Sequence, residues 1–124
     1  MFAKNTSVML YVDDLATECA FWRAIGFQII IDECDGPVPY FAMKTAPEAT
    51  LTLIVYDRDF IKKASPEVVD NQPSMLFEVA DLQATYQLIK KVSDLVSPIN
   101  NEPFPNFAFQ SPAGNFYAVK EADK

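Results

Sequence analysis

The sequence predicts an α+β fold built from two tandem βαβββ modules, with the helices packed on one face of the sheets. Three observations predict it. The chain repeats itself: Ser7-Val-Met-Leu-Tyr-Val-Asp-Asp-Leu15 aligns with Ser74-Met-Leu-Phe-Glu-Val-Ala-Asp-Leu82 at an offset of 67, and Phe41 to Pro47 aligns with Phe107 to Ala113 at an offset of 66. Each copy opens with a short apolar, strand-like run followed by an Asp and one helical stripe. Further strand-like runs then close each copy, separated by turn signals.

The elements follow in order. Val8 to Val12 and Met75 to Val79 are short, largely apolar runs read as the first strand of each module. Asp14 and Asp81 then stand where a helix needs an acceptor for its free amides. The first helix carries Leu15, Cys19, Trp22 and Ile25, and the second Leu82, Tyr86, Ile89 and Val92. Both sets run i, i+4, i+7, i+10, a single apolar stripe. This places Cys19 and Trp22 in the core, the thiol as an inert packing group. Gly26, just past the first stripe, is predicted to close that helix in the left-handed conformation.

Copy one continues with strands at Phe27 to Ile31, Tyr40 to Lys44 and Leu51 to Tyr56, and copy two with Leu95 to Ser97, Asn106 to Gln110 and Phe116 to Lys120. The whole chain, 1-124, reads as one domain of two modules, about 1-57 and 72-124, with 58-71 as a charged connector.

Composition removes several kinds of chemistry. There is no histidine, so no imidazole base, catalytic triad or imidazole metal ligand exists. A net charge of −7 argues against nucleic acid and anionic membranes as partners and suits a neutral or cationic ligand. Cys19 and Cys34 form neither a disulfide framework nor a CxxC or zinc spacing. The opening residues lack the features of a signal peptide and no apolar stretch is long enough for a membrane span, so the cytoplasm is the expected location. The clusters Asp13-Asp14, Asp32-Glu33-Asp35 and Asp57-Asp59 read as caps and solvated turns, and three glycines leave no room for a phosphate loop.

The duplicated module, with V-x-D-L before each helix, F-W-x-x-x-G-F at the end of the first and S-P-A-G-N-F before the last strand, resembles the vicinal oxygen chelate superfamily. That superfamily includes glyoxalase I, extradiol dioxygenases and the bleomycin-resistance binding proteins. The resemblance implies that the two modules curl a mixed sheet into a cleft, with the helices outside. In the enzymes of the superfamily the first and last strands of each module hold one divalent metal, usually through His or Gln and through Glu. Carried over by motif, those positions are Ser7, Thr52, Ser74 and Ala118, which supply neither imidazole nor carboxylate. The resemblance therefore implies no metal, no cofactor and no catalytic residue here, and favours the bleomycin-resistance type: a homodimer sequestering an aromatic or cationic small molecule. The alternatives are a glyoxalase- or dioxygenase-like enzyme holding its metal through other residues, and a ligand-free structural dimer.

Strand alternation, anchored on those positions, gives the residues expected to face the cleft. They are Ser7, Met9 and Tyr11, then Thr52, Ile54 and Tyr56 in the first copy, and Ser74, Leu76 and Glu78, then Phe116, Ala118 and Lys120 in the second. Such a set describes an apolar pocket with few polar anchors, or equally a filled core or a subunit contact. Glu78 and Lys120 either pair across the sheet or leave Glu78 to attract a ligand cation. Phe41, Phe107 and Phe109, on the third strands, are open to ligand contact or dimer packing, and Phe109 joins the candidate binding residues.

Overall fold

The computed structural model describes residues 1–123. Ten elements follow in the order β1 (Thr6–Val12), α1 (Leu15–Ala24), β2 (Gln28–Glu33), β3 (Tyr40–Lys44), β4 (Leu51–Asp57), α2 (Arg58–Ala64), β5 (Leu76–Val79), α3 (Leu82–Lys90), β6 (Asn106–Gln110) and β7 (Phe116–Glu121). They form two compact units, Met1–Pro73 and Ser74–Lys124. The first holds a four-stranded mixed sheet in the order β1-β4-β3-β2, the second a three-stranded mixed sheet in the order β5-β7-β6. The fold is α+β, as expected. Among the described residues no helix is long and apolar enough to cross a membrane.

In the first unit β1 and β4 run parallel and in register, and β3 lies antiparallel to β4. Leu10, Val12, Phe41, Met43, Leu53 and Val55 fall on one face of this sheet and are buried. The α1 stripe, Leu15, Cys19 and Trp22, joins them in the core. Trp22 is fully buried, and its indole N–H donates to the carboxylate of Glu18, also buried, at 2.9 Å. This buried acidic group lay outside the expected stripe.

Caps define the helix ends. The carboxylate of Asp14 accepts from the Thr17 amide at 3.1 Å and from its hydroxyl at 2.8 Å, and these bonds hold the Asp14 carboxyl below its ordinary pKa. Asp81 repeats the cap on α3, accepting from the Ala84 amide at 3.0 Å. At the other end of α1, Phe27 N–H donates to Trp22 O and Gly26 N–H to Arg23 O, with Gly26 at φ 101°: a Schellman closure.

Three expectations are corrected. The connector is not merely a charged link: Asp57 caps α2 through the Phe60 amide, Ile61 and Val69 are buried, and Arg58 donates to Val69 O and pairs with Asp70. The helix escaped notice because seven residues are too few to show a repeating stripe. Leu95 to Ser97 is not a strand but a ragged border to β6. There the Ser97 hydroxyl accepts the Ala108 N–H that a strand carbonyl would take, and Pro98 follows without a donor. Val92 lies past the end of α3 and is 41% exposed, because the N–H groups of Lys91 and Val92 donate three residues back, to Leu88 O and Ile89 O, a tightened last turn that takes the chain off the helical stripe.

Three substitutions test this architecture. Gly26→Ala is expected to lower the unfolding free energy by about 1 kcal/mol, read as a lower urea midpoint at unchanged slope. No atom lies within 4 Å of the added Cβ, so the cost is the left-handed backbone alone. Leu53→Ala, on the buried face, is expected to cost about 2–5 kcal/mol, and Met9→Ala, on the opposite face, less than about 1 kcal/mol. Equal costs would contradict the assignment of the two faces.

Candidate functional site

Alternation sends the remaining side chains to the other face of each sheet. In the first unit that face carries paired rows: Ser7 opposite Thr52, Met9 opposite Ile54, Tyr11 opposite Tyr56. β3 extends them, setting Ala42 beside Ile54 and Tyr40 beside Tyr56. The last row is a ladder of three tyrosines, with ring centroids 6.5 Å apart for Tyr11–Tyr56 and 5.7 Å for Tyr40–Tyr56. All three rings are partly exposed. Rings so arranged present π-faces to a planar or cationic group and hydroxyls to a polar one. Tyr40 is absent from the candidates the sequence offers, where Phe41 alone represents this strand. The alternation already used for β1 and β4 would have found it.

In the second unit Leu76 lies opposite Ala118, and Glu78 opposite Lys120, while β6 adds Ala108 beside Ala118 and Asn106 beside Lys120. A pocket of about 380 Å³ opens here, lined chiefly by Ser74, Leu76, Pro103, Phe104, Asn106 and Ala118. Phe104 comes from a proline-rich segment that offered no periodic signal. Asn106 holds that segment in place, its side-chain amide donating to the carbonyls of Phe104 and Glu102.

The candidate residues sort as follows. Met9, Leu76 and Phe116 are 49%, 49% and 54% exposed on the open faces, with Ser7, Thr52, Ile54, Ser74 and Ala118 beside them, exposed or half-buried. Phe109 is corrected. It is 1% exposed on the helix-covered face, its ring 5.8 Å from that of buried Tyr117, because Ala108 takes the open side of β6. Phe41 and Phe107 are core residues for the same reason.

Ser74 and Ala118 line one pocket, but they do not stand directly opposite each other. The place of Ala118 opposite Leu76 puts it two residues further along, so continuing the register sets Phe116 in the Ser74 row. Glu78 and Lys120 face each other without forming an ion pair. The Lys120 ammonium lies instead 4.0 Å from Asp123 and 5.1 Å from the centre of the Phe104 ring, while Glu78 stays exposed.

Neither Ser7, Thr52 and Ser74 nor Ala118 or Phe116 can donate as a carboxylate or imidazole would, so the superfamily's metal does not fit this donor set. Among the described residues one group of metal-type donors does come together: Cys19, Asp32 and Cys34, on the helix-covered face of the first sheet. Burial and then the Asp32 carboxyl push the Cys34 thiol up to about 12, and burial raises Cys19 as well. Both shifts favour the protonated thiol.

No family model matches the chain, and no curated protein matches it. Solved structures do. A member of the glyoxalase/bleomycin resistance protein/dioxygenase superfamily from Sphaerobacter thermophilus superposes with a TM-score of 0.76 at 16% identity, covering 98% of both chains. The bleomycin-binding protein of Streptomyces verticillus, solved with copper(II)-bleomycin, gives 0.66 at 19% identity over 99% of both. A lactoylglutathione lyase from Agrobacterium tumefaciens gives 0.70 at 19%, covering 94% of this chain and 92% of its own. Binding protein and enzyme thus share one architecture with this chain, and the likeness speaks to fold alone. With its two βαβ-based units and mixed sheets, the chain has the vicinal oxygen chelate fold of the glyoxalase/bleomycin resistance/dioxygenase superfamily.

Proposed function

We propose that this protein binds a small aromatic or cationic molecule without transforming it, in the manner of the bleomycin-binding protein it is similar to. The observation that carries this reading is a replacement. Where enzymes of this fold need metal donors the chain has hydroxyls and apolar groups, and around those positions its open sheet faces display tyrosines and aliphatic side chains. Such a surface offers burial and ring stacking rather than Lewis-acid or proton-transfer chemistry.

A cationic ligand is favoured by charge. The chain carries −7, and Glu78 holds an exposed carboxylate on the open face while the opposing Lys120 ammonium turns toward Asp123. A cation beside Glu78 or over the tyrosine ladder gains Coulomb and cation–π attraction of about 0.5–2 kcal/mol per contact. A homodimer belongs to the same proposal, because exposed Met9, Leu76 and Phe116 would then be covered by a second chain or by the ligand.

Bleomycin and simpler aromatic cations are the probes, with calorimetry and thermal unfolding as readouts. Saturable binding that persists in a chelator is expected, stabilising the protein by about 2.7 kcal/mol at a hundred times Kd. Tyr56→Ala and Glu78→Ala should each weaken it roughly two- to thirtyfold. Binding that requires added divalent metal, turnover of the ligand, or unchanged affinity in both variants would overturn the reading. A protein that binds none of these probes yet stays dimeric would point to the structural role instead.

A further inference from the structure

On the side of the first sheet away from the tyrosine ladder, α1 packs against β2, β3 and β4. Cys19 lies on the buried stripe of α1. Asp32 sits opposite Phe41 on β2, so its side chain shares the helix-covered face, and Cys34, two residues on, returns to that side. The two Sγ atoms and a carboxylate oxygen all lie within 4.8 Å of one another. A tetrahedral zinc-class ion, with bonds of about 2.3 Å to sulfur and about 2.1 Å to oxygen, needs such ligand atoms roughly 3.5–3.8 Å apart. Side-chain movements of about 1 Å suffice to reach that spacing.

The surroundings suit an ion. Burial is graded, with Cys19 buried, Cys34 half-buried and Asp32 exposed, so the cluster opens to solvent on one side. The Asp32 carboxylate is already oriented, accepting the Cys34 N–H at 3.3 Å. Arg23 is the one cation paired with the cluster among the described residues, at 3.9 Å and with both side chains more than half exposed. Such a contact contributes little and is readily displaced.

We propose that Cys19, Asp32 and Cys34 form a site for one thiophilic divalent ion of the zinc class, with water as its fourth ligand, outside the open face where a small molecule would bind. Binding deprotonates both thiols: two S–H bonds break, two metal–sulfur bonds form, and two protons leave to solvent. The ion clamps α1 to the edge of its sheet. No redox change occurs.

Cadmium, added to the full chain kept reduced by a phosphine, tests this through its ultraviolet thiolate charge-transfer band. Saturation at one equivalent per chain is expected, together with a rise in unfolding temperature when zinc is added. Cys34→Ser, at a half-buried position the core does not depend on, should weaken binding by at least about tenfold and diminish the band. Asp32→Asn should weaken binding while leaving the band in place. Absence of a saturable band in the reduced wild type, or equal affinity in Cys34→Ser, would overturn the proposal.

Discussion

The in-register parallel pairing of each module's first strand with its last is the constraint on which the rest depends. Because side chains alternate along a strand, pairing Val8 with Leu53 and Leu10 with Val55 commits one face of the sheet to the core, and the same register commits Met9, Tyr11, Ile54 and Tyr56 to the other. A slip of one residue would bury the tyrosines and expose the valines. β5 and β7 repeat the device with Phe77 opposite Val119 and Leu76 opposite Ala118. Everything distinctive about the chain is written on one face or the other.

The helices make that division permanent. α1 is begun by Asp14 and ended by Gly26, and between them it delivers Trp22, Cys19 and the Glu18 carboxylate to the covered face of the first sheet. A buried carboxylate costs desolvation unless hydrogen-bonded, and the Trp22 indole offsets part of that cost. The covered face therefore carries the Glu18 carboxylate and the Cys19 thiol, which water scarcely reaches, with the half-buried Cys34 at its border, while the open face carries partly exposed tyrosines. Ligand capture suits the second environment and soft-metal coordination the first.

Much of this was legible residue by residue. The two Asp caps, Gly26 and the core stripe of α1 depend on local backbone geometry, which short-range spacing reveals. What escaped did so for identifiable reasons. Phe109 was mistaken for a contact residue because its strand had no anchor for the alternation until Ala108 was seen opposite Ala118. The motif puts Ser74 and Ala118 where Ser7 and Thr52 face each other in the first module, whereas the register of the second module sets Ala118 opposite Leu76. Leu95 to Ser97 looked like a strand by composition, yet a serine hydroxyl stands in for the carbonyl that the neighbouring strand needs.

By itself the sequence determined the repeat, the α+β class, the two Asp caps, the Gly26 stop and the absence of histidine, because each is a matter of residue identity at short spacing. Only the tertiary structure decided which aromatic residues meet and which thiols converge. Tyr11, Tyr40 and Tyr56 form a ladder because three strands from distant parts of the first module share one register. Cys19 and Cys34 come within reach because α1 packs on the sheet whose strand β2 leads into Cys34. No local pattern encodes such meetings, since they arise from the packing of layers rather than from the neighbours along the chain.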